Sequence, residues 1–140
     1  MTDIIQWNVR GLRANVEELT LLCNKYNPQV VAVQECQLRR EKNINLTGFS
    51  GITKSSPGDN TTGGVTLYIN KSVLFSEIKL DTDLQAVTVR VSAKKTLTDC
   101  NIYLPPSLDV NLSDLEHLIQ QLSDSICPRW RFECSFPSLG

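Results

Sequence analysis

The chain lacks the features that mark membrane, disordered or secreted proteins. Its 140 residues carry 14 basic and 15 acidic side chains, and 41% of them are hydrophobic. The longest aliphatic run, Val30–Val33, is far shorter than the roughly 20 residues of a membrane-spanning helix. Neither a signal peptide nor the low hydrophobicity and high net charge of disordered chains is present. We therefore expect one domain, or part of one, in the nucleus or cytoplasm and not in a membrane.

Cysteine and histidine are not arranged for disulfides or zinc. The five cysteines are odd in number and scattered without a C-x-x-C pair, and His117 is the sequence's single histidine. We interpret the cysteines as reduced thiols. A net charge of −1 excludes a strongly basic nucleic-acid coat. It does not exclude an enzyme that holds phosphate through a few residues and a metal.

The first part of the chain has the pattern of a β-α-β unit. Residues 3–8 predict a short strand, and Asn15 with Glu18 fits the capping box at the start of a helix. Asn27-Pro28 ends that helix, because a residue before proline is pushed out of the α region. The β-branched run Val30–Val33 is typical of a strand buried on both faces. A helical crossover between two such strands predicts a parallel pair.

A polar residue ends each of these two strands. Asn8 closes the first strand, and Glu35 directly follows the second. Parallel strands place their carboxyl ends at one edge of a sheet, which is where open α/β sheets usually bind ligands. We therefore expect Asn8 and Glu35 to face the same crevice.

The middle of the chain is rich in predicted strands. A polar loop is expected at Thr53–Gly64, because it contains two pairs of turn-forming residues. Alternating and β-branched stretches after this loop predict four strands. They are Val65–Ile69, Leu74–Leu80, Leu84–Val91 and Asp99–Leu104.

A second helix is predicted after these strands. Ser113 and Glu116 fit a capping box, and His117 falls on the face opposite the apolar stripe. Helical periodicity is lost after residue 122. The residues expected to form the buried stripe are Leu112, Leu115, Leu118, Ile119 and Leu122.

Three residues could carry chemistry at the predicted crevice. Glu35 offers a carboxylate after an apolar strand, and Mg²⁺ prefers such hard oxygen ligands. Asn8 can hydrogen-bond a phosphate or orient Glu35, and Tyr103 can donate its hydroxyl to a phosphoryl oxygen. Each also fits a structural role, as a solvated strand end, a turn asparagine and a half-buried strand tyrosine. Arg10 fits either a phosphate contact or a solvated surface, and His117 faces solvent and is expected to be non-catalytic.

These motifs occur in an order that resembles a known superfamily. They are Ile5–Leu12, Pro28–Glu35, Gly63-Gly64-Val65 and Ile102–Ser107. Together they resemble the first half of the endonuclease/exonuclease/phosphatase superfamily, and in particular the N-terminal endonuclease of jockey-type non-LTR retrotransposon polyproteins. The resemblance covers roughly residues 3–122.

The resemblance implies a fold, an activity and a site. The fold is an α/β four-layer sandwich of two packed β-sheets flanked by helices, of which this chain is the incomplete N-terminal half. The activity is Mg²⁺- or Mn²⁺-dependent phosphodiester hydrolysis, and in the mobile element it is a DNA endonuclease linked to a reverse transcriptase. By position, Glu35 matches the metal-binding glutamate, Asn8 the asparagine that supports the metal–phosphate site, and Tyr103 the tyrosine near the scissile phosphate. Arg10 replaces an acidic residue of apurinic-site repair enzymes, which favours the retroelement branch.

The chain departs from the family's pattern after the second predicted helix. A strand ending in Gly-Asp-Phe-Asn and a later Ser-Asp-His motif are expected there, and the sequence contains neither. We interpret residues 1–122 as the N-terminal part of the domain and residues 123–140 as a divergent tail, out of frame or spliced onto a truncated copy. Little activity is expected without the missing half of the domain. The expected partners are DNA as the substrate and, for this chain, the missing C-terminal half or the polyprotein. The alternatives are a non-catalytic remnant and a phosphomonoesterase of the same superfamily.

Overall fold

In the part of the chain that the structure describes, the secondary structure consists of strands with one helix near each end. The computed structural model describes residues 3–38, 44–54, 63–92, 96–104, 111–124 and 131–135. In chain order the elements are β1 (Ile4–Asn8), α1 (Leu12–Tyr26), β2 (Val30–Gln34), β3 (Phe49–Lys54), β4 (Val65–Asn70), β5 (Leu74–Ile78), β6 (Gln85–Ser92), β7 (Thr96–Tyr103), α2 (Leu112–Asp124) and β8 (Arg131–Ser135).

The strands form two four-stranded sheets. The first sheet has the order β1-β2-β4-β3, and the second has the order β5-β6-β7-β8. β1 and β2 pair in parallel and place Asn8 beside Gln34, which confirms the predicted β-α-β unit. β2, β4 and β3 pair antiparallel, as do β5, β6 and β7. β8 pairs in parallel with β7.

The four layers arise because residues on both faces of the sheets are apolar. On β2, Val31 and Val33 pack in a cluster with Leu12 and Leu19 of α1. Val30 and Ala32 point the other way, into a cluster with valines of β6. All five residues of β2 are buried, as expected for a strand covered on both faces. α2 packs against the outer face of the second sheet, so the order of layers is helix, sheet, sheet, helix. The predicted four-layer α/β sandwich is confirmed.

The predicted start of the first helix was wrong. The helix begins at Leu12, and Gly11 occupies the N-cap position with a φ of 111°. Asn15 lies inside the first turn, where its side-chain amide donates to the carbonyls of Val9 at 3.1 Å and Gly11 at 2.8 Å. This side chain therefore stabilises the turn before the helix and does not cap the helix. The predicted end is confirmed, since Asn27 adopts a left-handed conformation after Tyr26.

The strand β3 was missed because glycine interrupts its pattern. Gly51 pairs with Tyr68 of β4, and a Cβ at Gly51 would lie 2.9 Å from the Tyr68 ring. The tyrosine ring therefore covers a position at which a side chain would not fit. β3 also includes Thr53 and Lys54, which were assigned to the polar loop. Residues 55–62 of that loop lie outside the described residues.

The second helix differs from its prediction at its cap and on its buried face. Asn111, and not Ser113, provides the cap, since its side-chain oxygen accepts from the Ser113 backbone at 3.0 Å. Leu118 and Leu122 pack against Cys100 and Ile102 of the second sheet. In contrast, Leu112 is 68% exposed and Ile119 is 53% exposed, although both were expected to be buried. The buried stripe is narrower because the sheet contacts only one side of the helix.

This difference can be measured with two neighbouring residues of α2. Leu118 is 2% exposed and Ile119 is 53% exposed. We expect Leu118→Ala to lower the free energy of unfolding by about 2–5 kcal/mol, because it leaves a cavity between helix and sheet. We expect Ile119→Ala to cost less than about 1 kcal/mol. Urea denaturation of both variants gives the comparison, and equal losses would contradict the described orientation of α2.

Candidate active site

Backbone hydrogen bonds extend the β1–β2 pairing into the turns that follow. The Val9 amide donates to the Gln34 carbonyl at 3.0 Å, and the Gly11 amide donates to the Glu35 carbonyl at 2.8 Å. The Leu12 amide, which begins α1, donates to the Cys36 carbonyl at 2.9 Å. The two chain segments that leave the sheet edge are thus held side by side.

Residues of these turns adopt the left-handed backbone conformation without being glycine. Their φ angles are 48° at Arg10 and 53° at both Glu35 and Gln37. Such a conformation costs roughly 1–2 kcal/mol for a residue with a Cβ, so the surrounding structure must impose it. The amides of Cys36 and Gln37 donate to the carbonyls of Gly64 at 3.2 Å and Gly63 at 2.8 Å. Strain of this kind concentrates at functional sites, which makes this edge of the sheet the candidate site.

Glu35 and Tyr103 meet at this edge. The Tyr103 hydroxyl donates to Oε1 of Glu35 at 3.1 Å, although 68 positions separate the two residues in the sequence. Burial raises the pKa of Tyr103, and the hydrogen bond and the charge of Glu35 raise it further. The charge of Arg10 lowers it and so opposes these effects. The contact therefore joins the residue that follows β2 to the last residue of β7.

Asn8 lies at the same edge and has a buried side-chain oxygen. Asn8 and Gln34 are partners in a parallel pair, so their side chains share the face that points toward the second sheet. The Oδ1 atom of Asn8 is buried, and it has no hydrogen-bond partner among the described residues. A buried acceptor of this kind is costly and calls for a donor, a water molecule or a cation. The structure therefore places the three predicted residues at one edge, while their chemical roles stay predictions.

The available donors fit a hard cation such as Mg²⁺ or Mn²⁺. They are the carboxylate of Glu35 and the unpartnered amide oxygen of Asn8. The described residues contain no group of three or more His, Cys, Asp or Glu side chains that could enclose a metal ion. Mg²⁺ does not need such a group, since it keeps several waters and binds through one or two carboxylates. The residues present therefore suit an open site and not a closed, zinc-like one.

Two residues at the rim of the site were missed by the sequence analysis. The ammonium group of Lys54 donates to the carbonyls of Thr82 at 2.8 Å and Leu84 at 2.6 Å, which joins β3 to the segment before β6. Burial lowers the pKa of Lys54, and the charge of Asp83 raises it. These contacts carry no sequence signal, because they join segments of separate sheets.

Gln85 is the second missed residue. Its side-chain oxygen accepts from the Gly64 amide at 2.6 Å, and it pairs with Tyr103 across β6 and β7. It therefore connects the Gly63-Gly64 turn of the first sheet to the strand position beside Tyr103. A lone glutamine at the start of a strand has no pattern by which it could have been found.

The remaining two candidate residues, Arg10 and His117, are both exposed. Arg10 is exposed in the turn after β1, close enough for its charge to affect Tyr103. His117 is exposed on α2, which covers the outer face of the second sheet, whereas Tyr103 belongs to the cluster between the sheets. The prediction that His117 points to solvent is confirmed.

The architecture is an α/β sandwich with a polar site at the strand ends. Two packed sheets are flanked by helices, and a carboxylate and a phenol meet at the strand ends beside a buried amide. The sequence model of the Endonuclease/Exonuclease/phosphatase family matches residues 5–129. The chain therefore belongs to that family.

The chain is similar to retrotransposon proteins in sequence and in structure. It is 26% identical over 121 residues to the RNA-directed DNA polymerase from mobile element jockey of Drosophila melanogaster. This match covers 84% of this chain and 13% of that protein. Its fold resembles the endonuclease domain of TRAS1, a telomere-specific non-LTR retrotransposon, with a TM-score of 0.70 and 17% identity. That match covers 96% of this chain and 58% of the TRAS1 chain.

The fold also resembles that of a DNA-bound enzyme. The 3′ phosphatase NExo from Neisseria, solved with a product DNA hairpin, matches with a TM-score of 0.69 and 17% identity. The match covers 97% of this chain and 57% of NExo. The chain thus spans little more than half the length of the structures it resembles. Neither helix of the described part of the chain has the length and hydropathy needed to cross a membrane.

The segment after α2 contains a strand that was not predicted. β8 (Arg131–Ser135) runs parallel to β7, so β7, α2 and β8 form a second β-α-β unit. The family's pattern has a strand ending in Gly-Asp-Phe-Asn after this helix, and β8 reads Arg-Phe-Glu-Cys-Ser. The strand is therefore present without the motif. The interpretation of residues 123–140 as a divergent tail stays a prediction.

The left-handed conformation of Glu35 gives a test of how this edge is built. Glycine adopts a φ of 53° without a Cβ clash, whereas alanine does not. Both substitutions remove the contact with Tyr103 equally. We therefore expect Glu35→Gly to be more stable than Glu35→Ala by about 1 kcal/mol. Urea denaturation measures the difference, and an alanine variant as stable as the glycine variant would contradict the described backbone.

Proposed function

We propose that this chain is the N-terminal part of a DNA endonuclease module of a retrotransposon-type RNA-directed DNA polymerase. The observation that carries the proposal is the hydrogen bond between Tyr103 and Glu35 beside the buried oxygen of Asn8. The jockey relative and the TRAS1 fold support the assignment to a mobile element. The DNA hairpin bound to NExo supports DNA as the substrate. The nuclear or cytoplasmic location stays a prediction.

We propose that Glu35 and Asn8 hold Mg²⁺ or Mn²⁺ through their oxygen atoms. When bound, such a cation polarises a phosphoryl oxygen and stabilises the charge that develops during hydrolysis. The chain supplies the remaining contacts. The Tyr103 hydroxyl, whose pKa burial and Glu35 raise further above neutral pH, is protonated there and can donate to a phosphoryl oxygen. Arg10 contributes positive charge at the mouth of the site.

The proposal includes an incomplete reaction centre. Hydrolysis by water needs a general base, and histidine is the usual one. His117 is the sequence's single histidine, and it lies on the outer face of the second sheet. We propose that the groups that activate water come from outside this chain. We propose that the isolated chain binds a metal but cleaves DNA poorly.

A phosphomonoester is the second candidate substrate. NExo is described as a 3′ phosphatase, and its fold is similar to that of this chain. Glu35, Asn8 and Tyr103 would contact a terminal phosphate as they would a bridging one. A non-catalytic remnant remains the alternative to both, and the absence of metal binding would favour it.

Metal binding can be tested with the purified 140-residue chain and Mn²⁺. We expect electron paramagnetic resonance to detect bound Mn²⁺, and Glu35→Gln to weaken the affinity at least about tenfold because a ligand charge is lost. Glu18→Gln removes an exposed carboxylate of α1 and is the matched control. Equal affinity in the parent chain and in Glu35→Gln would contradict the proposed site.

Catalysis can be tested with supercoiled plasmid and with a hairpin that carries a 3′ phosphate. We expect Mg²⁺-dependent cleavage by this chain to be at least about 100-fold slower than by a complete family member, because the base is missing. Efficient plasmid nicking that disappears in Glu35→Ala would show that the chain is complete for catalysis. Phosphate release from the hairpin without nicking would favour the phosphomonoesterase.

A further inference from the structure

A buried pair of side-chain amides connects the two sheets close to the candidate site. The Gln34 amide nitrogen donates to Oδ1 of Asn101 at 2.6 Å. The Asn101 amide nitrogen donates to the carbonyls of Val33 at 3.0 Å and Thr66 at 2.8 Å. Both side chains are fully buried, at 0% exposure. We refer to Gln34 and Asn101 as the amide bridge.

The hydrogen bonds of the amide bridge are directional, unlike the apolar contacts around them. The space between the sheets is filled mainly by aliphatic side chains such as Val30, Leu67 and Val89. Contacts between such side chains are non-directional, and they tolerate sliding of one sheet over the other. The three hydrogen bonds of Asn101 are satisfied together only at one position of β7 relative to β2 and β4. A buried amide that lost them would be costly, so the bridge favours that position strongly.

The amide bridge lies next to both ends of the Tyr103–Glu35 contact. Glu35 follows Gln34 directly in the chain, and Tyr103 lies two residues beyond Asn101 on the same face of β7. A shift by one residue along a strand is about 3.3 Å, which is enough to break a 3.1 Å hydrogen bond. The position of β7 over β2 therefore decides whether the phenol reaches the carboxylate.

We propose that Gln34 and Asn101 are positioning residues that hold Tyr103 against Glu35. Neither residue touches the proposed metal or phosphate; they act through the two residues that do. The significance of this positioning for catalysis rests on the proposed function. The positioning itself is a property of the chain without metal, so it can be tested separately.

A double-mutant cycle measures the contact that the amide bridge holds. Glu35→Ala, Tyr103→Phe and the double variant are unfolded in urea without metal. The ratio of unfolding equilibrium constants in the cycle gives the coupling between positions 35 and 103. With the bridge intact we expect a coupling of about fivefold, which is the size of an ordinary intramolecular hydrogen bond. In the Asn101→Leu background we expect the coupling to fall to less than about twofold.

A control separates positioning from stability alone. Leu118→Ala is expected to destabilise the chain through a cavity on the outer face of the second sheet, on the side of β7 opposite to the one that carries Asn101. The fivefold coupling should persist in that background. A coupling that survives Asn101→Leu, or that disappears equally in Leu118→Ala, would overturn the proposal.

A second background keeps the test decisive if Asn101→Leu does not fold. Gln34→Met removes one hydrogen bond of the bridge and leaves Asn101 bound to both carbonyls. We expect a coupling reduced by at least about half there, and an undiminished coupling would overturn the proposal. Mn²⁺ affinity is measured in the same variants, with an expected loss of about tenfold in Asn101→Leu. If the parent chain binds no Mn²⁺, the metal site is wrong, while the metal-free cycle still decides the role of the bridge.

Discussion

The parallel pairing of β1 with β2 is the constraint from which the candidate site follows. It places Asn8 beside Gln34 and brings the carboxyl ends of both strands to one edge of the sheet. The hydrogen bonds from Gly11 to Glu35 and from Leu12 to Cys36 then continue the pairing into the turns. Because a sheet backbone is stiff, groups held in this way need little reorganisation to meet a charged ligand. The site is thus a consequence of strand direction before any side chain is considered.

Backbone strain and an unpaired polar atom occur at the same edge. Glu35 is held at a positive φ by hydrogen bonds on both sides, and Asn8 keeps a buried oxygen without a described partner. Neither feature stabilises the fold. Both make sense if the edge binds a cation, since a cation would satisfy the oxygen and benefit from a carboxylate that cannot relax away.

The family assignment explains the architecture, and the lengths explain its incompleteness. The match to TRAS1 covers 96% of this chain but only 58% of the TRAS1 chain. The described strands include a β8 that continues the second sheet beside β7. The sequence of that strand differs from the family's Gly-Asp-Phe-Asn motif. The residues that we propose as metal ligands therefore lie in the part of the fold that this chain covers.

The sequence alone determined the β-α-β unit, the parallel direction of its strands and the shared edge of Asn8 and Glu35, since these follow from local periodicity and from the proline after Asn27. The ordered motifs also identified the family and pointed to Tyr103. Only the tertiary structure decided the remaining features. The start of α1, the narrow buried face of α2, the strand around Gly51 and the contacts of Gln85 and Asn101 all depend on partners distant in sequence. Local patterns do not encode such partners, because packing between the layers selects them.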